Sequence, residues 1–166
     1  MFTVHWSYPT ALRSAAGRIK ELPEACDAVG IRRPLLVTDR GLADLPFVRA
    51  MTADLKAAGL AVAVFADVDP NPTGENLDAG VAAYGAGDHD GVLCVGGGSA
   101  LDLGKLVAFM AGQSRPVWDF EDLDDWWTRA DPDAIAPNIA IPTTSGTGSE
   151  LGRAGVLTRA DTYEKK

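Results

Sequence analysis

Cysteine is scarce in this 166-residue chain, occurring only at Cys26 and Cys94. One lies in an expected helix and the other inside the apolar run Gly91-Val92-Leu93-Cys94-Val95, a distribution that suggests neither a disulfide framework nor a zinc knuckle. Both read as buried thiols. Basic clusters are missing too. Asp and Glu total 23 against 15 Lys and Arg, the formal charge is −8, and no stripe of cations with interleaved aromatics would hold a phosphate backbone. Nucleic acid is therefore disfavoured as a partner. No apolar run approaches the roughly 20 residues of a membrane span, and Met1-Phe2-Thr3-Val4-His5-Trp6 lacks the basic start and apolar core of a secretion signal. The expectation is a soluble, cytoplasmic protein with no membrane partner. Internal repeats and low-complexity linkers are absent from the sequence.

What is present is apolar residues in quantity, 46% of the chain, enough to bury a core without staples. A single domain spanning 1–166 follows. Short apolar runs bounded by turn residues alternate with stretches of helical period, the rhythm of strands joined by crossover helices. The fold class is α/β, a Rossmann-like and mostly parallel sheet with helices on both faces. Strands are expected at Phe2–Val4, Leu35–Thr38, Ala61–Phe65, Gly91–Val95 and Ile139–Ile141, each continuously apolar as strands covered on both faces should be. Helices are expected at Ala11–Val29, Asp44–Ala58, Thr73–Gly85 and Ser99–Ala111, each ending at or near a glycine. Such a sheet collects the loops after its strands at one edge, where ligands bind. Asp39, Asp69–Pro72, the glycine run and Thr143–Ser149 all fall there.

Gly96-Gly97-Gly98-Ser99 leaves a buried strand and opens a helix, so backbone N–H groups and the positive helix end face whatever lies beyond. A phosphate suits that place, because glycine lets an anion approach the backbone and such turns often need positive φ. The run is neither GxGxxG nor a P-loop, since no GK[ST] ending follows. Ser99 and Asp102 have two readings, a helix cap or a carboxylate near the ribose or substrate end of a ligand. Thr143-Thr144-Ser145-Gly146-Thr147-Gly148-Ser149-Glu150 offers hydroxyls and N–H groups at a density suited to the phosphate, ribose and adenine of a nucleotide. Asp39 ends the second strand at the same edge. A carboxylate there accepts hydrogen bonds from an adenosine ribose diol and repels a 2′-phosphate, favouring NAD over NADP; its other reading is a turn residue before Gly41.

These motifs together, Val37-Thr38-Asp39, Pro70-Asn71-Pro72-Thr73, the glycine run with Asp102 and Lys105, and Pro142 to Glu150, resemble the iron-containing, group III alcohol dehydrogenases. The resemblance runs from about residue 5 to the end, and the Thr143–Glu150 stretch is its most specific part. It implies an NAD(P)-dependent, metal-assisted interconversion of a small-molecule alcohol and an aldehyde or ketone. It also places Asp39 at the adenosine ribose and the turn from Gly96, through Gly97, Gly98 and Ser99, at the pyrophosphate. Asp102 falls on the nicotinamide ribose or substrate side, Thr143, Thr144, Ser145 and Thr147 around the adenine, and Asn71 along the same cleft.

In that family an all-helical second domain holds iron or zinc through an aspartate and three histidines, and the chain is expected to stop before it. His5 and His89 read as surface residues, so no metal site is expected within 1–166. A half-molecule of this kind would expose apolar surface and associate, and a homo-oligomer is expected. Two other readings stay open: a stand-alone dinucleotide-binding module without catalysis, and a dehydroquinate-synthase-like lyase. Arg115–Pro137, with Trp118, Trp126 and Trp127 among acidic residues, breaks the βα rhythm. It reads as a solvated acidic excursion docked by its tryptophans, and calcium binding there is disfavoured.

Overall fold

The computed structural model describes residues 10–166; the expected strand Phe2–Val4 and His5 lie outside them. Four parallel strands, β1 (Pro34–Val37), β2 (Ala63–Phe65), β3 (Gly91–Gly96) and β4 (Asn138–Pro142), form one sheet in the order β2-β1-β3-β4. Among the described residues the α-helices are α1 (Leu22–Ala28), α2 (Arg40–Ala43), α3 (Pro46–Ala57), α4 (Gly74–Ala86) and α5 (Gly98–Met110).

Alternation along the central strands divides the core. Leu35 and Val37 of β1 and Val92 and Cys94 of β3 pack with Leu77 of α4 and with Leu101, Leu103 and Val107 of α5. Leu36, Leu93 and Val95 point the other way, onto Leu22 and Cys26 of α1 and onto Val48, Met51 and Leu55 of α3. Burying both faces is why β1 and β3 read as unbroken apolar runs. Each fully buried leucine contributes about 1.5–3 kcal/mol relative to exposure, so the two centre strands carry much of the fold.

Glycines set the closeness of these layers. A Cβ at Gly104 would lie 2.5 Å from Cys94 Sγ, and one at Gly80 would lie 2.6 Å from Val107 Cγ2. α5 therefore rests directly on β3, and α4 directly on α5.

Two expected elements are corrected. The long helix 11–29 is only a 3₁₀ turn, Arg18–Glu21, followed by α1, with no helix from Thr10 to Ala16. Gly17 at φ +80 turns the chain out of helical geometry, and Pro23 in the first turn of α1 can begin a helix but not continue one. The strand at 61–65 shortens to Ala63–Phe65, and Ala63 and Val64 are exposed. Among the described residues it pairs with β1 alone, so there it lacks the cover on both sides expected for every strand.

The excursion after α5 contains three 3₁₀ turns, Val117–Phe120, Trp126–Arg129 and Pro132–Ala134. Trp118 docks on the core beside Gly74 at the start of α4, as expected. Trp126 stacks under the Arg129 guanidinium at 4.0 Å, while Trp127 stays 54% exposed.

Candidate functional site

β1 is followed in sequence by β2 on one side, yet β3 lies on its other side. The chain reverses direction across the sheet at that point, and loops leaving β1 and β3 splay apart above the strand ends. Open α/β sheets bind ligands at this switch point. A crevice of about 370 Å³ is found there, lined by Asp39, Arg40, Gly41, Val68, Asp69, Pro70 and the residues Gly97 to Ala100. A second hollow, of about 230 Å³, is lined by Tyr84, Ala111, Gly112 and Asp133–Pro137. It lies away from the strand carboxyl ends and gathers none of the motif residues.

The glycine run is the floor of the crevice, and its members differ in purpose. Gly96 has φ +145, a conformation that side chains disfavour, and a Cβ there would sit 2.7 Å from that of Ala100. Gly97, at φ −80, is the N-cap of α5; any residue could adopt that backbone. A Cβ on Gly97 would instead meet Thr144 Oγ1 at 3.3 Å, and one on Gly98 would meet Thr147 Cγ2 at 3.1 Å. These two glycines keep the space between the turn and the threonine loop open.

The helix starts at Gly98 with no side-chain cap. The cap reading of Ser99 and Asp102 is thus not what the structure shows. The uncapped first turn leaves backbone donors and the positive dipole end for an anion.

The other loops close onto this floor. Asp39 caps the short helix α2, its Oδ1 accepting from Leu42 N–H at 3.0 Å, and its Oδ2 lies 3.5 Å from the Cβ position of Gly96. The carboxylate therefore serves as a turn cap while bordering the glycine floor. Asn71 has φ +55, and its N–H donates to Ser99 Oγ at 3.3 Å. Thr143 N–H donates to Gly96 O at 2.9 Å, tying the threonine loop to the same turn. Residues Thr143 to Gly148 are all exposed, with Gly146 and Gly148 at positive φ, and Thr147 Oγ1 accepts from Ser149 N–H at 3.3 Å. Loops as far apart in sequence as Asp39 and Thr143 thus meet at the Gly96 turn.

Asp102 lies a turn and a half down α5, 9% exposed, and pairs with Lys105 at 3.3 Å. Lys105 Nζ also donates to Gly152 O at 3.1 Å and to Ala154 O. The pair anchors the segment after the threonine loop onto α5, an engagement the spacing alone did not reveal.

Arg40, whose guanidinium pairs with Asp67 and with Asp69 at 3.3 Å, was also missed from sequence. An arginine beside Asp39 and the alternating Asp67 and Asp69 were the available signals.

Both cysteines are buried. Desolvation pushes the Cys26 thiol up to about 11 and the Cys94 thiol up to about 12, so neither is a nucleophile at neutral pH. His89 sits in the turn before β3, bonded through Nδ1 to Arg33 O at 2.9 Å. Among the described residues no group of three or more His, Cys, Asp or Glu could hold a metal ion.

A parallel sheet with helices on both faces and a glycine-floored crevice at its switch point is a Rossmann-like domain. This chain belongs to the iron-containing alcohol dehydrogenase family, whose model matches residues 9–166. It is 38% identical over 151 residues to the 4-hydroxybutyrate dehydrogenase of Cupriavidus necator, an alignment covering 90% of this chain and 38% of that protein. It is 35% identical to the choline dehydrogenase of Bacillus subtilis, covering 90% of this chain and 37% of that one.

Among solved structures, the NADH-dependent butanol dehydrogenase A of Thermotoga maritima superposes with a TM-score of 0.84 at 27% identity, over 98% of this chain and 40% of that one. The sulfoacetaldehyde reductase of Bifidobacterium kashiwanohense in complex with NAD+ gives 0.80 at 29% identity, over 99% and 42%. The chain spans about two fifths of the length of the relatives it matches.

Proposed function

We propose that this chain is the cofactor-binding part of an NAD-dependent, metal-assisted alcohol dehydrogenase. The observation that carries the reading is the uncapped start of α5 beneath a glycine floor at the sheet's switch point. Such a place supplies backbone donors and dipole to a pyrophosphate.

Gly97, Gly98 and Ser99 hold the pyrophosphate, with Gly96 bending the chain so that they can. Asp39 accepts from the adenosine ribose hydroxyls through the carboxylate oxygen that is not capping α2. Thr143, Thr144, Ser145 and Thr147 surround the adenine with hydroxyls, and Asn71 closes the side of the cleft. Asp102, on the inner face of α5, lies on the side of the nicotinamide ribose or substrate. Its pairing with Lys105 fixes it there and holds the threonine loop in register. When bound, the nicotinamide accepts hydride from the alcohol carbon. The residues of this chain would hold the dinucleotide's pyrophosphate and adenosine; no metal-dependent step is assigned to them.

The names of the relatives support the nicotinamide cofactor, one being described as NADH-dependent and one as an NAD+ complex. NADH titrated by fluorescence is expected to bind saturably, and Gly98→Val, whose side chain would press on Thr147, is expected to abolish binding. Failure of the unaltered chain to bind NADH would refute the reading. Alcohol oxidation by the whole gene product with added iron or zinc distinguishes an enzyme from a binding module: NADH binding without turnover would favour the module. The lyase reading finds no support among the relatives, whose names are those of alcohol dehydrogenases and related oxidoreductases.

Asp39→Gly is expected to raise NADPH affinity relative to NADH, because it removes a charge facing the 2′-phosphate. Glycine at an N-cap costs only a few tenths of a kcal/mol, so the comparison of dissociation constants stays free of unfolding. An unchanged ratio would remove Asp39 from the ribose.

A further inference from the structure

Beyond the motif residues, a cation, Arg40, stands in the same crevice beside Asp39. Arg40 follows Asp39 and lines the crevice with it, with Asp69 and Pro70 opposite. A guanidinium can bind a phosphate through two parallel N–H donors. Here it is already engaged. One nitrogen, Nη2, pairs with Asp67 Oδ1, and Nη1 donates to Asp69 Oδ1 at 3.3 Å.

The Asp69 carboxylate and the Asp67 backbone are both held in place. Asn76, 7% exposed at the start of α4, donates through Nδ2 to Asp69 Oδ2 at 3.1 Å and to Asp67 O at 3.2 Å. Its Oδ1 accepts from Thr73 N–H at 3.0 Å in the capping box of that helix. Val68, between the two aspartates, is 3% exposed and packed in the core. A buried amide and a core valine thus fix the loop that holds the arginine.

We propose that Arg40 is a cofactor-specificity residue held in check by Asp67 and Asp69, so that the crevice selects against a 2′-phosphate through this fixed ion cluster and not through Asp39 alone. The inference rests on the dinucleotide reading above. Asp67 and Asp69 pair with the one guanidinium and Asp39 lines the same crevice, so three carboxylates and one cation leave a formal balance of two negative charges around it. A neutral ribose diol can donate to such a surface. A phosphate would have to displace Asp67 or Asp69 from Arg40 before gaining its bonds, and would meet their repulsion within the Debye length of about 8 Å.

The pairs contribute little to folding, because Arg40 is 66% exposed and its partners are 51% and 49% exposed. Neutralising the aspartates therefore tests recognition more than stability.

The measurement is the dissociation constants of NADH and NADPH, by fluorescence titration of the full chain and three variants, with thermal midpoints recorded alongside. In Asp67→Asn/Asp69→Asn, the released guanidinium is expected to tighten NADPH relative to NADH by about tenfold or more, the effect of a new charge-assisted hydrogen bond. Adding Arg40→Ala to that double variant is expected to erase the gain. The single variant Asp67→Asn, which leaves the Asn76–Asp69 bond intact, is expected to show a smaller gain in the same direction, and the tightening should shrink as salt is raised. A gain that survives Arg40→Ala would overturn the proposal, since bulk charge and not the arginine would be responsible. So would unchanged NADPH affinity with NADH binding intact. An unaltered chain that binds neither dinucleotide would instead remove the underlying reading, a separately visible result.

Discussion

Gly96, Gly97 and Gly98 look alike in sequence but are required for different reasons. Gly96 alone sits at positive φ and within 2.7 Å of a side chain, so Gly96→Ala is expected to cost about 1–3 kcal/mol by backbone strain and crowding, read as a lower midpoint in urea. Gly97 has an ordinary backbone, and its Cβ would intrude only on the crevice side, toward Thr144. Gly97→Ala should weaken NADH by about tenfold, or 1.4 kcal/mol, with an unchanged urea midpoint; equal loss of both would show that the turn and not the ligand needs the glycine. The sequence made all three glycines legible as a turn from strand to helix. It did not separate them, because φ depends on where β3 ends and close approach depends on a loop in a distant part of the chain. Asp102 shows the same limit: its spacing from Ser99 did not reveal its pairing with Lys105.

Helices and strands were legible where burial is symmetric. β1, β3, α3, α4 and α5 lie within a few residues of their apolar runs, because each presents one continuous face or two to the core. The readings failed where a local breaker or an edge overrode the pattern, at Gly17 and Pro23 before α1 and at β2. The contact of α5 with β3 is the most demanding in the fold. Gly104→Val would force a branched side chain into the 2.5 Å gap above Cys94 Sγ and is expected to destabilise by about 1–3 kcal/mol or more. Leu101→Ala, at a position with no exposure, should cost about 2–5 kcal/mol. Chemical denaturation checks both, and a small loss at Gly104 would mean that α5 can lift from the sheet.

Across the molecule, the buried thiols tie stability to alkaline pH. Burial raises Cys94 to about 12 and Cys26 to about 11 from an ordinary 9.0. The folded state therefore holds its thiol protons more tightly than the unfolded one, and the contribution is fully present below about pH 9 and lost as pH rises from there through about 11 and 12. The unfolding midpoint of the native chain should fall over that window more steeply than that of Cys26→Ala/Cys94→Ala, and at about pH 8 a thiol reagent should label neither cysteine until the chain unfolds. Equal slopes would deny the thiols this role.

No helix of the described residues is long and apolar enough to cross a membrane, while Phe47, Val64, Leu123 and Trp127 are exposed apolar groups. We expect such surface to drive self-association, to be checked by sedimentation; a strictly monomeric species would refute it.

Composition and periodicity decided the α/β class, and the motifs from Val37 to Glu150 carried the resemblance to the family, since these depend on which residues follow one another. Arg40 held by Asp67 and Asp69, Lys105 gripping the segment after the threonine loop, and the crevice itself were decided by the tertiary fold. The reversal of strand order between β1 and β3 brings those loops together, and no local pattern encodes which distant loop a side chain will meet.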